Sequence, residues 1–265
     1  MDLLGFATTF QDDEVKLVSQ SYMEERSDDE IRTLLNNKVL MDGDAVSHLI
    51  GRGFGPQIGV KNCEPLTGAN YEEMTNKDFA GKFLNRDETT VLASKYRLYA
   101  VEQAIVVSQM FGPARSFSVP GMILFENASG GRIGVIPQSG AQGDLYSELF
   151  RGWKRQLVLK NMLEWISKGA LPLFVEDAPN VCPIRRDGEK SVLIGIANLS
   201  ADPLPHVSFQ MAHVPREVSR IEYLTPEGKY VPLNIRPTRQ EGYLHFRTPV
   251  RVEPLGLACF RLSEA

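Results

Sequence analysis

The strongest constraint on this 265-residue chain is a change of pattern near residue 179. Before it, short β-prone runs alternate with stretches whose apolar residues recur at helical spacing. After it, helical periodicity disappears, and Pro and Gly punctuate one strand-like run after another. Alternating strands and helices build a parallel sheet covered by helices, whereas short strands in series build an antiparallel sandwich. The pattern therefore predicts α/β followed by all-β, with an α/β domain over residues 1–175 and a small antiparallel β-sandwich over 176–265. The junction falls in the window 170–185.

In the first part, residues 15–18 form a β-prone run, and Ser27-Asp28-Asp29-Glu30 has the pattern of a capping box. Ile31, Leu34 and Leu35 then give the apolar stripe of a helix. Lys38-Val39-Leu40-Met41 reads as a buried strand, and Asp42-Gly43-Asp44 as a turn capping a second helix that ends at Gly51 and Gly53. Ile58-Gly59-Val60 is the next expected strand. Further on, 104–108 reads as a strand, and 121–127 with 132–137, joined by Ala128-Ser129-Gly130-Gly131, read as a hairpin. A helix is expected over 146–168, with Val158, Leu159, Met162, Leu163, Trp165 and Ile166 on one face. In the second part, strands are expected at 192–197, 207–211, 218–224, 229–235, 243–248 and 256–262.

Residues 61–97 are polar except around Phe79 to Leu84, and read as excursions from the core. Long segments of this kind inside a domain tend to be functional or partner-dependent, so Phe79, Phe83 and Leu84 are a candidate interaction surface.

Charge excludes several classes. Lys plus Arg number 29 against 33 for Asp plus Glu, a net charge of −4, and the basic residues are scattered rather than clustered. That argues against nucleic acid and against a membrane surface as partners. No apolar run reaches the length of a spanning helix, and the first six residues lack the basic region of a secretory signal. Localisation is left open: cytoplasmic if Met1 is the true start, periplasmic or extracellular for a longer parent. Cys63, Cys182 and Cys259 are too few and too dispersed for a disulfide framework, and read as small buried residues. The four histidines show no metal-ligand spacing, and nothing calls for a cofactor.

Few residues could carry chemistry. Gly51-Arg52-Gly53-Phe54-Gly55 has Pro56 where a dinucleotide loop needs glycine, and it closes a helix instead of opening one. Ser129 has Asn127 and Ser139 has Pro137 where a nucleophile elbow needs its first glycine, and Cys63 lacks the flanking glycines. Glu126 is the candidate catalytic carboxylate, because it ends an apolar strand, where α/β sheets often present site groups. Beside Asn127 and two glycines it also reads as turn chemistry, with Arg132 as its partner across the hairpin. Glu176 is a second carboxylate for a self-sufficient hydrolase. A third reading makes the sandwich a carbohydrate-binding module, with Tyr223, Tyr230 or Tyr243 as stacking platform; aromatic residues on a strand face are more often core.

Several segments carry a resemblance. They are residues 27–35, Val39-Leu40-Met41-Asp42-Gly43-Asp44-Ala45, Arg52-Gly53-Phe54, Ile58-Gly59-Val60, Phe125-Glu126-Asn127 with 130–135, and Val181-Cys182-Pro183 to Asn198-Leu199-Ser200. Together they resemble the C-terminal region of bacterial β-galactosidase-like glycoside hydrolases. There a catalytic barrel is followed by a domain similar to class I glutamine amidotransferases, often called a trimerisation domain, and then by a small β-sandwich. The resemblance implies a partial flavodoxin-like parallel sheet, no cofactor, and a non-catalytic accessory or oligomerisation role. It implies as partners the upstream barrel of the same parent, further copies of the chain, and carbohydrate. The barrel's two catalytic glutamates, the amidotransferase cysteine elbow and the first strands of a complete flavodoxin-like sheet have no counterpart in this sequence.

Overall fold

Local signals start the first unit, residues 11–169, in the computed structural model, which describes residues 6–7, 15–89, 95–139, 153–178, 180–212, 218 and 220–263. After a short helix α1 (Gln20–Glu24), the Ser27 hydroxyl accepts from the Glu30 amide while Glu30 accepts from the Ser27 amide at 2.8 Å. This closed capping box starts α2 (Asp28–Leu35), which buries Ile31, Leu34 and Leu35. Asp42 accepts from the Ala45 N–H at 2.8 Å and caps α3 (Gly43–Gly51).

The central sheet runs β1-β2-β11-β10-β7. β1 (Lys16–Val18), β2 (Lys38–Met41) and β11 (Arg132–Val135) are parallel. β10 (Ile123–Glu126) is antiparallel to β11, closing the expected hairpin with Glu126 opposite Arg132, and β7 (Ile105–Val106) is antiparallel to β10. The sheet is thus mixed rather than wholly parallel. Ile58-Gly59-Val60 does not supply another of its strands. Gly55–Ile58 is a single helical turn, α4, and Gly59 turns the chain with φ +75°. A Cβ there would lie 2.5 Å from the Phe125 ring, so both the conformation and the close approach require glycine.

The polar middle is more regular than its sequence suggests. β3 (Val60–Leu66) pairs with β6 (Lys95–Ala100), and a four-stranded sheet runs β5-β4-β8-β9. Its strands are β4 (Tyr71–Met74), β5 (Asp87–Thr89), β8 (Ser108–Phe111) and β9 (Ser118–Pro120). Between them, α5 (Lys77–Ala80) packs against α6 (Trp153–Ser167). α6 buries Val158, Leu159, Met162, Leu163 and Ile166; the expected start of this helix at 146 lies outside the described residues.

The second unit comprises residues 1–10 and 170–265. Phe6 bridges to Phe174, their rings 5.0 Å apart. The compact units divide at 169/170 rather than 175/176, because the Leu171 N–H donates to the Tyr243 hydroxyl at 2.6 Å and Leu173 lies in the sandwich core. One sheet is β12-β15-β19-β18: Phe174–Val175, Val207–Met211, Tyr243–Thr248 and Thr238–Gln240. The other is β13-β14-β20-β16-β17: Val181–Asp187, Ser191–Asn198, Leu257–Ser263, Arg220–Leu224 and Tyr230–Pro232. All their pairings are antiparallel. Between the sheets Phe209 stacks on Phe246 at 4.8 Å and tilts against Phe260 at 5.6 Å. Pro183 sits in β13, the edge strand.

Candidate functional site

Strand direction decides where Glu126 lies. Because β10 runs against β11, its last residue falls at the amino ends of the three parallel strands, beside Arg132. Ligands of α/β sheets gather at the opposite, carboxyl ends. Glu126 is also committed to cations: its Oε2 accepts from Arg132 Nε at 2.7 Å, and Lys168 Nζ stands 3.7 Å from Oε1. The Arg132 guanidinium is fixed in turn, 4.4 Å above the Trp165 ring and donating to the Trp165 carbonyl. Asn127 holds the turn, its Oδ1 accepting from the Ser129 and Gly131 amides at 3.0 Å. Its Nδ2 donates to the carbonyls of Leu35 at 2.7 Å and Gln57 at 3.2 Å.

At the carboxyl ends of β2 and β11 stand Asp42, Asp44, Gln138 and Ser139. Buried Asp44 accepts from the Tyr96 hydroxyl at 2.8 Å and from Ser139 Oγ at 2.6 Å. Burial, with Asp44 beside it, pushes the Tyr96 phenol up to about 12. Burial raises Asp42 to about 6, and the charge of Asp44 adds to the effect. The turn is packed shut: a Cβ on Gly43 would lie 2.5 Å from the Tyr96 ring and 2.6 Å from the Pro137 carbonyl oxygen.

A second buried network adjoins through Gln138. Glu72, on β4 and wholly buried, accepts from Ser108 Oγ at 2.5 Å, Gln138 Nε2 at 3.1 Å and the Arg155 guanidinium. Lys95, also buried, bridges to Gln138 through the backbone. Burial and the neighbouring Arg155 lower its amine to about 8, and Glu72 opposes them. Sequence reasoning passed over this cluster because Tyr71-Glu72-Glu73-Met74 reads as a polar surface stretch. The alternation of β4 was the available signal, since it turns Glu72 and Met74 to different faces from Tyr71 and Glu73. Hydrogen-bonded acid–base pairs at this depth fix the arrangement of strands. They differ from the two carboxyls flanking a bond that glycoside hydrolysis needs.

The remaining candidates disperse. Glu176 accepts from the Gln210 amide and lies 3.4 Å from His245 Nδ1, far in sequence from Glu126 and in the other unit. The tyrosines form no common platform. Tyr243 is buried and accepts from the Leu171 amide, Tyr223 tilts on Phe260 at 5.9 Å, and the Tyr230 ring is covered by Arg261 at 4.0 Å. Phe79 and Phe83 correct the expected interaction surface. They are 7% and 5% exposed, and only Leu84, at 36%, reaches the surface. The segment folds under itself because α6 anchors it, Asn161 Nδ2 donating to the Phe79 carbonyl at 2.7 Å. The three cysteines form no disulfide and are half-buried rather than core, with burial raising the Cys63 and Cys259 thiols. Among the described residues no group of three or more His, Cys, Asp and Glu is placed to hold a metal ion, and no helix is long and apolar enough to cross a membrane.

No protein family matches this sequence, and no curated protein matches it. Similar solved structures include a catalytic mutant of a GH42 β-galactosidase from G. stearothermophilus, 10% identical over 95% of this chain and 32% of that one, with a TM-score of 0.48. The β-galactosidase from Bacillus circulans sp. alkalophilus is 12% identical over 93% and 32%, with a TM-score of 0.48. The cold-adapted β-galactosidase from Rahnella sp. R3 is 12% identical over 94% and 31%, with a TM-score of 0.47. The chain thus spans about a third of the length of these neighbours.

Proposed function

We propose that this chain is a non-catalytic accessory region of a larger β-galactosidase-like glycoside hydrolase, serving packing and oligomer contacts and not bond cleavage. Its first unit would be the amidotransferase-like, partly flavodoxin-like domain, and its second the closing β-sandwich. One observation carries the reading: the residues that bear the resemblance are spent on architecture. Ser27 and Glu30 close a cap, Asp42 caps α3, Gly59 lies under Phe125, Asn127 clamps a turn, and Glu126 is paired with Arg132. A self-sufficient hydrolase built on Glu126 and Glu176 is disfavoured, since each carboxylate already has a partner and they belong to separate units.

Purified protein is expected to leave an aryl galactoside intact, as judged by release of the chromophore. Turnover that disappears in Glu126→Gln would overturn the proposal. The intact gene is expected to encode a barrel in frame upstream of residue 1, and a reading frame without one counts equally against it.

A further inference from the structure

At the amino ends of the parallel strands, opposite the end where α/β sheets usually present ligand sites, lies a cleft of about 330 Å³, lined by Lys16, Asn36, Asn37, Lys38, Gly130, Arg132 and Lys168. Four of these side chains are cationic and none is a carboxylate, in a chain whose net charge is −4. A companion groove of about 320 Å³ shares Lys16 and Asn37 and continues past Tyr22 on α1 and past Asp29, Glu30 and Thr33 on α2, where the lining turns acidic.

We propose that this cleft is a binding site for a monosaccharide-sized ligand carrying a carboxylate or phosphate group. The site goes beyond the accessory role and does not depend on it. The volume suits such a ligand. Arg132 supplies a donor fork whose position is set before binding, by Glu126 on one side and Trp165 beneath. Asn36 and Asn37 bring carboxamides, which pair with hydroxyl groups. Gly130, at φ +80° with open space where a Cβ would stand, leaves the mouth clear. Helix dipoles alone would account for Lys38 and Lys168, which follow the C-terminal ends of α2 and α6. Lys16 and Arg132 lie on strands β1 and β11 and open onto the same cleft.

The test is titration calorimetry at low salt with sodium glucuronate, inorganic phosphate and, as neutral control, glucose. Saturable one-to-one binding of either anion, weakening as NaCl is raised, is expected. Which anion binds assigns the charged group. In the Lys16→Gln/Lys38→Gln double variant, affinity should fall by about tenfold or more, with the circular dichroism spectrum unchanged. Arg132→Gln should reduce it further; should that variant unfold, the lysine pair decides. Binding of glucose as tight as glucuronate, affinity unchanged in the lysine variant, or no saturable heat with either anion would each overturn the site.

Discussion

In the sandwich, alternate residues of each strand turn inward and the core they build is apolar, with Phe209, Phe246 and Phe260 at its centre. Its buried carboxylate, Glu222, lies between Arg220 and Arg261 at 2.8 and 2.6 Å, and both arginines reach solvent. The α/β unit uses the same chemistry at greater depth. Glu72 and Arg155 are both almost completely enclosed, and Lys95 and Asp44 are buried nearby. Desolvating two ions costs about what their attraction returns, so the deep pair adds little net stability, yet losing one partner leaves a charge stranded. The sandwich is held by volume and area, whereas the middle of the α/β unit is held by matching of polar groups.

Removing the Phe209 side chain tests the first half of that contrast. Phe209→Ala should cost about 4 kcal/mol, because two rings pack on it and the void cannot collapse, and denaturant unfolding would show the loss with little dependence on pH. A loss under 1 kcal/mol would mean the sandwich core is not the tight stack described. Glu72→Gln keeps the shape and an acceptor for Ser108 but removes the charge facing Arg155, and should cost about 3 kcal/mol. Unfolding midpoints unchanged in that variant would show that the pair is not the keystone of its region.

The smallest effect has a distinctive sign. In the folded chain the Asp42 carboxyl is raised from 3.8 to about 6, so its ionisation is disfavoured there relative to the unfolded chain. Its contribution is therefore most favourable below pH 3.8 and is lost as pH rises to 6, opposite to an ordinary salt-bridged carboxylate. Asp42→Asn keeps an acceptor for the Ala45 N–H and should gain about 1 kcal/mol at pH 7. Comparing stability of the two proteins at pH 4 and pH 7 measures it; an equal difference at both values would refute the assignment.

Signals confined to a few consecutive residues were legible. The Ser27 capping box, the Asp42 cap, the hairpin around Asn127 and the alternation of residues 207–211 all follow from local chemistry. Pairings set by distant partners were hidden. Lys95 to Ala100 finds Val60 to Leu66 with partners from 29 to 40 residues apart, and Tyr71 to Met74 carries a glutamate on its inward face. Gly59 lies in an apolar triplet that resembles a strand, and only its left-handed backbone shows that the chain turns there. For the candidate site, residue type was readable but strand direction was not. Glu126 ends an apolar strand as expected, on the end of the sheet opposite the one that reading required. Phe79 and Phe83 were misplaced for a related reason, because the helix that covers them comes some eighty residues later.

Pro183 bears on how these molecules behave in a crowd. An outermost strand normally offers a row of amide donors to any extended chain that drifts past, which is how fibrils are seeded. Proline has no such donor, and its ring obstructs an incoming backbone. Placed in β13, it interrupts that row, so stacking of one molecule on another along this border is blocked at the level of a single missing hydrogen atom.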